Sequence, residues 1–396
     1  MINVPEYVIR ILNIFETSGF EAYTVGGCVR DSFLGKTPSD WDITTSAPPE
    51  KVLKLFSAFT TIPTGLKHGT VTVICDGNPV EITTYRIDGE YTDCRHPKSV
   101  AFSSRLEDDL ARRDFTVNAM AYNPIKGLKD PFNGQKDLSL KLLRCVGNAA
   151  KRFGEDALRI MRALRFAATL GFEIEDDTAK AINSCGSLLE NIAKERICIE
   201  LSKLLLAGNP EKILLDYKNT FFEILRIKNS VPDSAWAENC KAVSLAAPHL
   251  PLRLALMLNG LPASDALKSL KFSNAIKHTA ETISKGLNAT ILSDKKIIKK
   301  QLREFGTENM DYIIKGKRAL SGDTEELKNI EEIVSDIEAN NECYLISQLD
   351  INGQDLLKHL GIQGQEIGNA LEMLLNAVIS GECKNEKFAL LEFLKN

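Results

Sequence analysis

"GGCVRDSFLGKTPSDWDITTSA" runs from Gly26 to Ala47, and its reading decides the fold. Two glycines open it, Arg30 and Asp31 follow, and Asp40 and Asp42 flank a single tryptophan. Alternate residues of a strand project from one face, so "DWDITT" read as a strand sets both carboxylates side by side. Such neighbours repel unless a cation sits between them. Glycines ahead of a helix let the backbone approach an anion closely and turn free N–H groups toward it. "EAYTVGG", just upstream, reads as another short strand.

Outward from this stretch, "MINVPEYVIRILNIFETSGF" reads as an amphipathic helix rather than a cleavable signal. "PPEKVLKLFSAF" reads as a helix with Pro48 and Pro49 in its opening turn. "GTVTVICDG" and "PVEITTYRID" are rich in β-branched residues and have "DGNP" between them, which predicts a β-hairpin. "AFSSRLEDDLARRDFTVNAMAYNP" predicts a helix opening at Ser104, with Glu107 completing a capping box. From about Ala149 the β-branched runs thin out, and Leu, Ala, Lys and Glu recur at helical spacing to Asn396. Breaks are expected at 206–212, 230–236, 258–264 and 319–326. The chain is therefore read as α+β, a mixed head followed by a long helical arm.

A length of 396 residues with 44% hydrophobic content allows two or three domains with sizeable cores. No apolar run reaches the length of a membrane span, so no membrane partner is expected. Nine cysteines without a CxxC pair suggest neither a zinc site nor a disulfide framework, and a cytoplasmic setting with reduced thiols is expected. A net charge of −4 means that any polyanion site needs locally segregated positive charge. "SDKKIIKKQLREFG" (293–306) supplies a candidate in Lys295, Lys296, Lys299, Lys300 and Arg303, although such a run is usually a solvated face.

Two carboxylates on one strand face suit a pair of Mg²⁺ ions in nucleotidyl transfer, one at the attacking hydroxyl and one at the triphosphate. The glycine pair, Arg30 one turn into the helix and the twelve-residue gap from Gly27 to Asp40 sharpen that reading. "VGGCVRD…DWDITTSA" resembles the polymerase β-like nucleotidyltransferases, and among them the class II CCA-adding enzymes and bacterial poly(A) polymerases. The resemblance continues in order through "KHGTVTV" (67–73), "EITTYRIDGEYTDCRHPKSVAF" (81–102), "LEDDLARRDFTVNAMAY" (106–122), "DPFNGQKDL" (130–138) and "RFGEDALRIMRALRFAATLGFEI" (152–174). It returns in the tail at 350–382, while about 200–340 matches only in being helical. It implies a head with a small mixed sheet at 1–148, a base-recognising neck at 149–205, a helical body at 206–320 and a tRNA-binding helical tail at 321–396.

On a helical wheel, "GEDALRIMRALRF" puts Ala157, Leu158, Ile160, Met161 and Leu164 on one half. Glu155, Arg159, Arg162 and Arg165 fall on the other. Such an arginine face is ordinarily solvated or salt-bridged, but beside a phosphate-binding head it becomes a nucleotide candidate. Asp156 and Arg159, neighbours at i and i+3, have the chemistry to select C and A together. Both bases carry an amino donor beside a ring-nitrogen acceptor, whereas U and G present a carbonyl oxygen in place of the amino group. The resemblance implies that Asp156 and Arg159 act as a protein template. Arg162, within about 60° of Arg159, shares that pocket. Arg165 is expected to meet phosphate or tRNA. The resemblance also assigns Arg113 to the nucleotide, with Arg112 left at the surface.

Glu81, which begins "EITTYR", is the candidate third carboxylate, with an exposed edge-strand glutamate as the alternative. "YRIDGEYTDCRHP" (85–97) is expected to be a mobile loop near the pocket and resembles the loop needed for adding the terminal A. His68 and His96 are read as structural. The resulting expectation is a CCA-adding enzyme that uses CTP, ATP and Mg²⁺ and contacts the acceptor–TψC half of tRNA. Asp40 and Asp42 would hold the metals, and Gly27, Arg30 and Arg113 would bind the nucleotide or its phosphates. A poly(A) polymerase, an A-adding relative and a catalytically silent tRNA-binding scaffold stay open as alternatives. No protein partner is evident.

Overall fold

A seven-stranded sheet organises the head in the computed structural model, which describes residues 2–89, 99–227 and 231–395. Its elements begin with α1 (Glu6–Thr17), β1 (Ala22–Val25), α2 (Gly27–Phe33), β2 (Asp42–Thr45), α3 (Pro49–Leu55), β3 (Thr60–Gly65), β4 (Thr70–Cys75) and β5 (Asn78–Thr84). The ribbon of β6 (Arg86–Asp88) and β7 (Val100–Phe102) comes next. It leads to α4 (Leu106–Ala111), β8 (Ala121–Asn123), β9 (Gly127–Lys129), α5 (Gly134–Ser139) and β10 (Leu142–Leu143). Strand order in the sheet is β3-β4-β5-β2-β1-β8-β9. Strands β2 and β5 run parallel with Asp42 opposite Glu81, and the other pairings are antiparallel.

The expected hairpin is β4–β5, turned by Asp76 and Gly77, both at positive φ. Two local expectations need correcting. Strand β2 begins at Asp42, so Asp40 lies in the segment entering it and the pleat does not set its direction. Helix α4 opens after Arg105 without a side-chain cap. Ser103, not Ser104, organises the turn by donating to Asp108 at 2.6 Å and accepting the Arg105 N–H.

One face of the sheet carries Ile43, Val71, Val73 and Ile82, all fully buried, and α1 and α3 pack on it with Phe15 against Phe56 at 5.2 Å. The other face carries Tyr23, Val25 and Thr44. There α4 packs through Leu106 and Leu110, which leaves polar side chains of β2 and β5 along its margin.

Past the head come α6 (Ala149–Glu155), α7 (Leu158–Leu170), β11 (Glu173–Ile174), α8 (Asp176–Cys185), α9 (Lys194–Leu205), α10 (Glu211–Asp216) and α11 (Lys218–Leu225). The β10–β11 pair is a small parallel addition to a region expected to be wholly helical. The chain forms two compact units, Met1–Lys228 and Asn229–Asn396. The second begins with α12 (Asp233–Leu245), α13 (Leu250–Met257), α14 (Ala263–Ser269), α15 (Asn274–Asn288) and α16 (Lys295–Phe305). It continues with α17 (Thr307–Ser321), α18 (Glu325–Ala339), α19 (Gly353–Leu360), α20 (Gln365–Ser380) and α21 (Lys387–Phe393). Each of the four expected breaks coincides with a junction between helices.

Gly134 lets α5 press on the 3₁₀ turn Thr116–Asn118. A Cβ there would lie 2.3 Å from the Thr116 carbonyl oxygen and 2.8 Å from Met120 Cγ. Gly134→Ala is expected to destabilise the protein by about 1–3 kcal/mol through displacement of that turn. Gly154→Ala in α6, where a Cβ meets nothing within 4 Å, is expected to be neutral or stabilising. Urea unfolding of the two variants checks the contrast.

Candidate active site

Gly26 has φ 82° and ψ −128°, a conformation that favours glycine. A side chain there would also meet Nη1 of Arg113 at 3.1 Å. The guanidinium of Arg113 therefore lies over the glycine pair that opens α2. Asp109, fully buried on α4, receives Nη2 of Arg113 at 3.2 Å. It also accepts from Thr44 of β2 at 3.0 Å and from Arg112 at 2.7 and 2.9 Å. Burial alone would raise the Asp109 carboxyl, but the Arg113 and Arg112 guanidiniums overcome it and hold the carboxyl below the usual carboxylate range. Arg112 is thus no surface residue. Its side chain is as shielded as that of Arg113, and Asp109 needs both cations.

Asp42, Asp40 and Glu81 have the opposite environment. Glu81 sits in the middle of β5 between β4 and β2, so it is no edge-strand residue, and its register partner is Asp42. Asp40 is exposed and accepts from Ser39 at 3.1 Å. The Asp42 carboxyl is pushed up to about 6, first by burial and then by the charges of Glu81 and Asp40, with Arg113 opposing. Among the described residues, negative charge here exceeds the positive charge set against it. Among the described residues, no group of three carboxylate, imidazole or thiol side chains is arranged to hold a metal ion by itself. An ion at this place would need further oxygens from a ligand.

Arg30 does not reach toward this cluster. Its Nε and Nη2 donate to Asp31 at 2.8 and 3.0 Å, its Nη1 donates to Asn118 at 2.6 Å, and its guanidinium lies 5.0 Å from the Phe166 ring centroid. Asn118 in turn donates to Asp114 at 3.2 Å. Asp114 accepts a two-nitrogen fork from Arg162 at 2.6 and 2.8 Å. Burial would raise the Asp114 carboxyl, but Arg162 and Asn118 bring it down to about 2. Glu200 of α9 takes Arg165, which also stacks 3.8 Å from the Phe166 centroid. Arg165 is therefore committed inside the protein, against the expectation that it meets phosphate or tRNA.

The arginine face of α7 is not a solvated one. Helix α6 ends at Glu155, Asp156 is extended, and α7 starts at Leu158, so Asp156 and Arg159 do not share one continuous helix. Arg159 is buried and donates to Glu155 at 2.9 Å and to the carbonyls of Arg152 and Arg112 at 3.2 and 2.9 Å. Asp156 accepts the Leu158 N–H at 3.1 Å and faces Arg196 at 3.6 Å. Acid and base are thus held by separate partners and do not neutralise each other.

Asp109, Asp114, Asn118, Arg196 and Glu200 were not singled out from sequence, and Glu155 was read only as part of the polar half of the wheel. The detectable signal was the acids on both sides of the arginine pair in "DDLARRD" and the acids ahead of Arg159 in "GEDALRIMR". His68 is exposed in a 3₁₀ turn, and its carbonyl accepts from Arg86. Residues 90–97 of the expected loop, His96 among them, lie outside the described residues. In α16, Lys295 pairs with Asp336 and Glu342, the largely buried Lys299 with Glu342, and Arg303 with Glu372. Only Lys296 and Lys300 of that run are exposed with no ion pair among the described residues, so the free basic stripe is narrower than expected.

Three families match the chain. "Poly A polymerase head domain" covers residues 22–144, "Probable RNA and SrmB-binding site of polymerase A" covers 171–220, and "tRNA nucleotidyltransferase domain 2" covers 251–394. The CCA-adding enzyme of Streptococcus thermophilus is 35% identical, over 97% of this chain and 95% of its own. That of Ligilactobacillus salivarius is 36% identical, over 99% and 97%. A crystal structure of the Bacillus stearothermophilus CCA-adding enzyme in complex with CTP superposes with a TM-score of 0.80 at 31% identity, covering 98% of this chain and 96% of that one. The Thermotoga maritima CCA-adding enzyme complexed with tRNA shares the fold at 21% identity and a TM-score of 0.69, covering 98% and 94%.

The raised Asp42 carboxyl makes a stability prediction. A native state that holds a proton more tightly than the unfolded chain loses stability as pH rises from about 4 to about 6. Asp42→Asn removes that loss, with a discount for the partial exposure of the group. The variant is expected to be more stable than the parent by about 1–2 kcal/mol at pH 7.5 in chelator and no more stable at pH 4. Paired urea titrations at the two pH values check this.

Proposed function

Because this chain belongs to the class II CCA-adding enzyme and poly(A) polymerase family of nucleotidyltransferases, we propose that it builds or repairs the 3′-terminal CCA of tRNA from CTP and ATP. The observation that carries this reading is the separate bracing of Asp156 and Arg159, which leaves an acceptor and a donor unneutralised by each other. Asp156 accepts from the amino group of C or A, and Arg159 donates to the adjacent ring acceptor, with Arg162 behind it. U or G would set a carbonyl oxygen against the carboxylate, and the unpaired group costs about 1–3 kcal/mol.

The carboxylate cluster supports Mg²⁺ as cofactor. Asp40 and Asp42 would hold it, with Glu81 as the adjacent third carboxylate and substrate phosphates completing the coordination. Such an ion supplies charge neutralisation at the triphosphate and acidifies the attacking hydroxyl. Gly27 and Arg113 would take the triphosphate; in support, Arg113 lies against Gly26 at the head of α2, and Arg30 ties α2 to Asn118. The tRNA 3′-hydroxyl attacks the α-phosphate, and pyrophosphate leaves. Lys296 and Lys300 are the cations of α16 left for the tRNA backbone, with the acceptor–TψC half recognised mainly by shape. No helix among the described residues is long and apolar enough to cross a membrane, and a cytoplasmic location is part of this reading.

The test uses three RNAs: tRNA lacking CCA, tRNA ending in CC, and an unrelated RNA. The expected result is C, C and A on the first, a single A on the second, and nothing comparable on the third. Addition of A alone to the first would replace this reading with a poly(A) or A-adding activity. Asp42→Ala is expected to lower incorporation at least a thousandfold while tRNA affinity in a filter-binding assay changes less than threefold. Full activity in that variant would remove Asp42 from the site.

A further inference from the structure

Asp156 stands in the break between α6 and α7, at φ −139° and ψ 101°. Its Oδ1 is held by the Leu158 N–H at 3.1 Å. Its Oδ2 faces Nη2 of Arg196, on α9, at 3.6 Å. That separation is close enough for attraction between the charges and too long for a hydrogen bond. The contact therefore orients the carboxylate without consuming the lone pairs of Oδ2.

Arg196 differs from the other arginines around it. Arg152, Arg159, Arg162 and Arg165 each form a hydrogen-bonded pair with a carboxylate of the protein. Arg196 keeps Nη1 buried with no partner among the described residues, as Arg113 does with its Nε. A buried donor left unpaired costs free energy that an incoming acceptor relieves, so Arg196 is not a finished structural clamp. One helical turn further along α9, Glu200 takes Arg165 and stands 4.0 Å from Arg162. The same face of α9 thus braces both α7 and the break before it.

We propose that Arg196 is a positioning residue for base selection, holding the open oxygen of Asp156 toward the amino group of the incoming nucleotide. The inference rests on the reading of Asp156 as the base acceptor. Without Arg196 the carboxylate pivots about its single tether to Leu158, and bases that carry a carbonyl oxygen in place of the amino group are rejected less well.

The experiment measures kcat/KM for CTP and for UTP on tRNA lacking CCA, with the parent, Arg196→Ala and Arg196→Lys. The CTP:UTP ratio is expected to fall at least tenfold in Arg196→Ala, chiefly through KM for CTP, and to recover most of the way in Arg196→Lys. An unchanged ratio, or an equal loss for both nucleotides, overturns the proposal. In an Asp156→Asn background the added Arg196→Ala change is expected to move the ratio less than twofold, and a further tenfold fall there also overturns it. A parent protein that adds C and U equally would instead sink the reading of Asp156 itself, so the two failures are distinguishable.

Discussion

A buried carboxylate must be matched by cations and donors, and in this protein Asp114 is where that requirement binds the most structure together. Its two oxygens take Arg162 from α7, Asn118 from the turn after α4, and the Phe115 N–H. Asn118 passes the constraint to Arg30 on α2, and Arg162 stands beside Glu200 on α9. Removing one member of such a buried pair leaves an uncompensated charge and typically costs about 3–5 kcal/mol. The helix that follows the glycine pair and the helix that carries Arg159 are therefore fixed by one continuous polar network.

Charge balance divides the site into two kinds of chemistry. Asp109 and Asp114 are overcompensated by arginines, and both carboxyls are held low. Asp42 lies between two further acids and is held high. The first kind is finished when the chain folds. The second would be completed by a bound cation, in keeping with the Mg²⁺ proposed for it. An arrangement of this sort costs stability in the free protein and repays it on binding.

Much of this was legible in the sequence, and the limits have physical causes. The β4–β5 hairpin followed from "DG" between alternating runs, and the helix junctions from their Gly and Pro content. Asp42 and Glu81 were found separately, but their direct opposition depends on a long-range parallel pairing that no local pattern encodes. The wheel drawn through "GEDALRIMR" placed the buried apolar half, but its pairing of Asp156 with Arg159 on one helix did not hold, because Asp156 leaves the helix and a wheel presumes continuity. Burial of the arginine face was hidden for a related reason. Periodicity separates polar from apolar, and it cannot say that the polar half meets acids from elsewhere in the chain. The basic run in α16 misled in the same way, since its partners Asp336, Glu342 and Glu372 lie far along the chain.

The parallel pairing of β2 with β5 also has a consequence for how the protein acquires its chemistry. Thr44 and Thr83, in register across these strands, are 39 residues apart in the chain. A hairpin such as β4–β5 closes locally within microseconds, whereas bringing β2 alongside it means closing a long loop first. The acidic cluster is thus among the high-contact-order features of the head, and it comes into being only when non-local order is reached. A chain still emerging from the ribosome, with its hairpin already formed, carries Glu81 without Asp42 beside it. The Asp42–Glu81 opposition therefore arises together with tertiary docking, and an incompletely folded chain lacks it.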